Sequence, residues 1–112
     1  MTAHLPPDAP VVCEVHIDLP ARHTGTMNNQ LCEARIRCGE KVLWQGFSGT
    51  TAIFPAEREM TVEITLLAVY TGRPFAFFKD ITLRATVTPG GHYAAVPCRR
   101  TGLSLTLRPK EA

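Results

Sequence analysis

Apolar and polar side chains alternate along most of this chain, and this alternation is the strongest constraint on its fold. Residues 12–19 show the pattern most clearly, with apolar side chains at Cys13, Val15, Ile17 and Leu19. A period of two places successive side chains on opposite faces of an extended strand, whereas a helix requires a period near 3.6. Each such segment is therefore predicted to be a strand with one face in a core and one in solvent.

The same alternation recurs in short segments separated by turns. Gly39-Glu40 suits a type II′ hairpin turn because glycine comes first, and Pro89-Gly90-Gly91 is the strongest turn signal in the chain. Residues 55–59 are the only helix-like piece, and they are expected to form one helical turn or a loop. We therefore expect an all-β protein with essentially no helix, built as a single antiparallel β-sandwich of about eight strands, immunoglobulin-like or transthyretin-like. An open barrel is the alternative.

The length of 112 residues leaves room for one domain. Apolar residues make up 45% of the chain and charged residues 20%, so a core can form and disorder is excluded. We assign residues 1–10 to an extended, proline-rich N-terminal arm, residues 11–109 to the sandwich and residues 110–112 to a C-terminal tail.

The net charge of +2 is too small to indicate binding to nucleic acid or to a membrane surface. No apolar run is long enough to span a bilayer, and no signal peptide is visible in the first 20 residues. We therefore expect a cytoplasmic location, with an exported domain whose signal has been removed as the alternative.

The connections between strands contain the candidate binding residues. If the strands alternate in direction, one end of the sandwich carries residues 20–30, 48–51, 70–74 and 97–102. These segments contain no acidic residue, and their candidate binding residues are Arg22, His23, Asn28, Asn29, Tyr70, Arg73, Arg99 and Arg100. The arginine guanidinium suits a carboxylate or a phosphate, so this end is predicted to bind an anionic partner. A solvated rim of loops is the alternative.

Two pairs of apolar residues are expected to leave an apolar patch outside the core. Phe77 and Phe78 are consecutive, so in a strand they must face opposite sides. Leu67 and Val69 occupy positions that are polar earlier in the same strand. An exposed apolar patch on a small protein usually marks an interface, so we expect a homodimer formed through an outer sheet face or edge.

Four cysteines allow several interpretations. Cys13, Cys32 and Cys38 lie in the apolar phase of their strands and are expected to be buried as small hydrophobic residues. A disulfide joining Cys13 to Cys32 or to Cys38 is the next alternative, and a zinc site is disfavoured because no Cys-x2-Cys pair is present. Cys98 precedes two arginines, which lower a thiol pKa, so it is the candidate reactive cysteine.

The sequence carries no recognisable catalytic or cofactor motif. It lacks the Gly-x-Ser-x-Gly and His-Glu-x-x-His patterns, a phosphate-binding glycine-rich loop and a dinucleotide-binding fingerprint. Glu14, His16 and Asp18 share one strand face, but same-face positions are about 7 Å apart, too far for three short side chains to converge on an ion. We therefore expect a solvated polar face there, no metal and no cofactor.

These observations predict a non-enzymatic interaction or assembly module. It is expected to bind a protein or an anionic partner through the loops at one end or through an apolar outer strand, with a homodimer as one form. A small enzyme using Cys98 or His23 with the arginines as anion clamps is one alternative. A secreted or envelope structural domain is the other.

Overall fold

The protein is an eight-stranded β-sandwich, as the alternation of its sequence predicts. The computed structural model describes residues 11–19, 31–70, 78–98 and 104–110, and within these ranges it contains strands and no helix. The strands are β1 (Val12–Ile17), β2 (Glu33–Cys38), β3 (Lys41–Phe47), β4 (Thr51–Pro55), β5 (Met60–Tyr70), β6 (Phe78–Val87), β7 (His92–Pro97) and β8 (Leu105–Pro109).

The strands form two sheets of four, with the orders β4-β1-β7-β8 and β3-β2-β5-β6. The immunoglobulin constant-type order, in which the first two strands are neighbours, is absent because β1 and β2 lie in different sheets. The sandwich is antiparallel as predicted, except that β1 and β7 are parallel neighbours. Successive strands alternate in direction, so two odd-numbered strands that become neighbours must run the same way.

The core lies between the inner faces of the two sheets. Val15, Ile17 and Phe54 of one sheet belong to the same buried cluster as Ile36 and Ile64 of the other. These residues are the apolar members of their alternating segments, and burial of each large side chain contributes about 1.5–3 kcal/mol. The alternation therefore gives the inner face of β1 correctly, because Cys13, Val15 and Ile17 are all buried.

Two turns have the backbone geometry that their glycines predict. Gly39 has a φ of 60° and stands first in the two-residue loop between Cys38 and Lys41, as a type II′ turn requires. Gly90 has a φ of 73°, and the amide of Gly91 donates to the carbonyl of Thr88 at 3.0 Å. This second turn is of type II, in which a residue with positive φ follows proline.

The segment between β4 and β5 is a loop and not a helical turn. Of the two structures expected for residues 55–59, the loop is therefore the correct one. Pro55 completes β4, and residues 56–59 form a bend without helical structure. Ala56 is buried, and its amide donates to the carbonyl of Val11 at 2.9 Å. This hydrogen bond holds the loop against the beginning of β1.

Candidate functional site

The four connections predicted to carry the binding residues leave the sandwich at one end. The amide of Gly49 donates to the carbonyl of Ile17 at 2.6 Å, which joins the β3–β4 turn to the end of β1. The amide of Asp18 donates to the carbonyl of Ala95 at 3.0 Å, which joins the end of β1 to β7. The end of β5 lies beside the beginning of β2, because Leu66 pairs with Ala34 in an antiparallel register.

Most of the predicted loop residues fall outside the described ranges. These are Arg22, His23, Asn28, Asn29, Arg73, Arg99 and Arg100. Tyr70 ends β5, where its backbone pairs with Phe78. Binding of an anion at this end therefore stays a prediction, supported by the common position of the strands that flank the loops.

A β-bulge near the end of β5 changes which side chains face outward. The register between β5 and β6 shifts between Leu66 and Val69, and Ala68 has a φ of 54°. The amide of Ala68 donates to Oδ1 of Asp80 at 2.8 Å, so the carboxylate stabilises this conformation. An extra residue reverses the alternation beyond it.

The bulge corrects the prediction of the outer apolar patch. Val69 is only 1% exposed, so its expected place in that patch is wrong, and Leu67 is half-buried. Phe78 is 69% exposed, while Phe77 lies outside the described residues. Of the four predicted interface residues, Phe78 is thus the one whose strong exposure the structure shows.

Ala68 provides a test of the bulge. We expect Ala68→Val to lower the free energy of unfolding by about 1–2 kcal/mol, because a β-branched side chain fits poorly at positive φ. Ala68→Gly is expected to leave stability unchanged or to raise it by up to about 1 kcal/mol. Urea denaturation of both variants measures these changes, and Ala94→Val on β7 is the control in an ordinary strand conformation. Equal effects at Ala68 and Ala94 would contradict the bulge.

β6 is a long edge strand whose protection against pairing is limited to the charged side chains of Lys79, Asp80 and Arg84. In the part of the chain that the structure describes, it pairs only with β5. It has ten residues and contains neither proline nor glycine. The other edge strands are shorter or irregular: β4 and β8 have five residues each and end in proline, and β3 has seven residues and contains Leu43, the extra residue of a bulge against β2.

The two faces of β6 differ in polarity. On the inner face, Leu83 and Ala85 remain half-buried, because no strand lies beyond them. On the outer face, Nη2 of Arg84 lies 3.0 Å from Oε2 of Glu63 on β5. The hydroxyl groups of Thr82 and Thr65 are hydrogen-bonded at 3.0 Å. β6 therefore has partly exposed apolar side chains on its inner face and paired polar side chains on its outer face.

The cysteines behave mainly as apolar residues. Cys13 and Cys32 are buried, as predicted, and burial raises the pKa of each of these thiols. Cys38 is half-buried against the core. Cys13 and Cys38 are free thiols, so neither of the two disulfides considered is formed.

Cys98 is half-buried just beyond β7, and its amide donates to the carbonyl of Ser104 at 2.9 Å. Its catalytic use stays an untested alternative.

The polar face of β1 is organised into pairs. Nδ1 of His92 on β7 lies 2.5 Å from Oε2 of Glu14. Nε2 of His16 lies 3.6 Å from Oδ1 of Asp18, and Nδ1 of His16 lies 3.1 Å from Oγ1 of Thr51. The pairing of Glu14 with a histidine was not predicted, because it depends on the parallel neighbour strand. Across the described ranges, no group of three or more histidine, cysteine or acidic side chains forms a metal-binding cluster.

Comparison with protein-family models, with curated proteins and with solved structures gives no match. The described residues include no helix of sufficient length and apolarity to cross a membrane. The geometry defines an all-β sandwich with a ten-residue edge strand, β6, that contains neither proline nor glycine.

Proposed function

We propose that this protein is a non-enzymatic assembly module that pairs with a second copy of itself through the edge of β6. The observation that carries the proposal is a ten-residue edge strand without proline or glycine. An unprotected edge offers unpaired backbone amide and carbonyl groups, which a strand from another chain can satisfy. The half-buried Leu83 and Ala85 supply apolar surface that such a strand would cover.

The charges on β6 favour one antiparallel register. A two-fold axis perpendicular to the sheet keeps the inner faces of the two copies on the same side. Paired residues must therefore both have even numbers or both have odd numbers. With the axis at Thr82, Asp80 faces Arg84 of the partner subunit, and the symmetry repeats this pair. An axis at Asp80 or at Arg84 would instead place like charges opposite each other. Opposite charges across strands contribute about 0.2–1 kcal/mol per pair, and like charges destabilise.

The existing contacts of these two side chains are compatible with that register. Asp80 is exposed and uses Oδ1 for the amide of Ala68, which leaves Oδ2 for the partner. Arg84 contacts Glu63 through Nη2, and a guanidinium group carries five N–H donors in total. On the inner face, the same register places Ile81 against Leu83 of the partner subunit.

Molecular mass in solution tests the proposal. We expect light scattering at tens of micromolar to give twice the chain mass of 12.3 kDa. Thr82→Lys should give a monomer, because the two introduced lysines would meet on the axis. Thr106→Lys on β8 is the matched control and should stay dimeric. A monomeric wild-type protein, or a dimeric Thr82→Lys variant, would overturn the proposal.

A mixing experiment tests the register itself. Asp80→Lys places the introduced lysine against Arg84 of the partner subunit, and Arg84→Glu places the introduced glutamate against Asp80 of the partner subunit. Each variant alone should therefore be monomeric, whereas an equimolar mixture should form a heterodimer with both charge pairs restored. Near-ultraviolet circular dichroism of each variant checks that it is folded. A mixture of folded variants that stays monomeric would contradict this register.

A further inference from the structure

A cleft of about 560 Å³ lies at the end of the sandwich opposite the β3–β4 turn. It opens between the β2–β3 hairpin and the loop that joins β4 to β5. Its lining includes Cys38, Leu43 and Met60, with the charged side chains of Lys41, Glu57 and Arg58 around them. A volume of this size falls in the range of small-molecule sites, about 300–1,000 Å³.

The apolar part of the cleft is continuous with the core. Cys38, Leu43 and Met60 are half-buried residues that pack against the core cluster. Cys38 and Met60 stand at the ends of their strands, where the sandwich stops, so part of each side chain is left for the cleft. An aliphatic group placed there would bury apolar surface against the protein, and this burial contributes about 25 cal/mol per Å² to the binding free energy.

The charged part of the cleft has an excess of positive charge. Lys41 and Arg58 are both exposed, and neither belongs to an ion pair with any other described residue. Glu57 is the one acidic side chain in the lining. Two cations beside an apolar surface suit a ligand that carries one negative charge at the end of an apolar body.

We propose that this cleft binds a small organic anion with an aliphatic tail, such as a medium-chain carboxylate. The carboxylate lies between Lys41 and Arg58, and the tail lies against Leu43, Met60 and the thiol of Cys38. The cleft is formed by the β3 and β4 side of the sandwich, whereas the proposed dimer edge is β6. The two proposals are therefore independent of each other.

Titration calorimetry with octanoate tests this site. We expect saturable binding of one octanoate per chain, and clearly weaker binding of octanol and of octyltrimethylammonium. Arg58→Glu combined with Lys41→Glu should weaken octanoate binding about three- to tenfold or more, because each exposed ion pair contributes up to about 1 kcal/mol. Arg108→Glu on β8 is the matched charge reversal outside the cleft and should leave the affinity unchanged.

Alkylation of Cys38 supplies a second readout at the site. Bound octanoate should slow the reaction of Cys38 with iodoacetamide, measured by peptide mass mapping, without slowing the reaction of Cys98. Equal affinities for octanoate and octanol, equal losses in the cleft variant and in Arg108→Glu, or unprotected Cys38 at saturation would each overturn the proposal. Absence of any octanoate binding would do the same.

Discussion

Replacement of Phe54 by alanine is expected to lower the free energy of unfolding by about 3–5 kcal/mol. Phe54 is 1% exposed and is the bulkiest of the fully buried side chains. It lies on β4 opposite Cys13 and fills the space between the two sheets. The substitution removes apolar contacts and leaves a cavity that the neighbouring strands can close only in part. Urea denaturation, followed by the fluorescence of Trp44, measures the change.

Ile53 is the matched control for this experiment. It precedes Phe54 on the same strand, faces outward and is 52% exposed. Ile53→Ala should change the free energy of unfolding by no more than about 0.5 kcal/mol, since surface substitutions rarely do more. A larger loss at Ile53 than at Phe54 would show that β4 has the opposite face in the core.

Replacement of Ser48 by alanine is expected to lower the free energy of unfolding by about 1–3 kcal/mol. Ser48 is 1% exposed, and its Oγ accepts a hydrogen bond from the amide of Cys32 at 2.9 Å. The amide of Ser48 also donates to the carbonyl of Cys32 at 2.8 Å. Alanine would keep the second bond and remove the Oγ atom that accepts from the amide of buried Cys32.

Thr50 controls for the turn that contains Ser48. Its hydroxyl donates to the carbonyl of Phe47 at 2.7 Å, but the residue is exposed, so water can replace the bond. Thr50→Ala should therefore cost less than Ser48→Ala. Amide hydrogen exchange at Cys32 should become faster in Ser48→Ala and stay unchanged in Thr50→Ala. Unaltered exchange at Cys32 in both variants would contradict the assigned contact.

The strands themselves were predictable because their pattern is local. The hairpin turn lies at Gly39-Glu40, as predicted, and Gly39 adopts the positive φ that this turn requires. Each of these features depends on a few consecutive residues and on the steric limits of the backbone. Residues 55–59 are ambiguous by the same logic, since a short segment supports either a turn of helix or a loop.

Features that depend on distant residues were not predictable. Nothing local at Ala68 indicates a positive φ, because the conformation is stabilised by Asp80 on the next strand. The burial of Val69 follows from that bulge. The pairing of Glu14 with His92 and the edge position of β6 likewise depend on which strands become neighbours. Alternation within a strand carries no information about strand order.

The surface features proposed for binding also include one that follows from local sequence and others that depend on distant residues. Two consecutive phenylalanines predict that one of them faces outward, which is a local argument, but only the structure identifies Phe78 as an exposed one. The cleft lined by Cys38, Leu43 and Met60 has no sequence signal, because its walls come from a hairpin and a separate loop. The edge position of β6 has no sequence signal either, because the central strand β5 also lacks proline and glycine.

The parallel pairing of β1 with β7 has a consequence for the order of folding. β1 occupies a central place in its sheet, between β4 and β7. β7 is the seventh strand in sequence, so the pairing of Glu14 with His92 joins two residues that are far apart along the chain. A chain emerging from a ribosome must therefore hold its first strand unpaired on one side until nearly the last strand has been made. Contacts so distant in sequence are typical of proteins that fold in milliseconds to seconds rather than microseconds. During that interval the unpaired backbone edge of β1 is open to other chains, and synthesis that stops before β7 leaves it so.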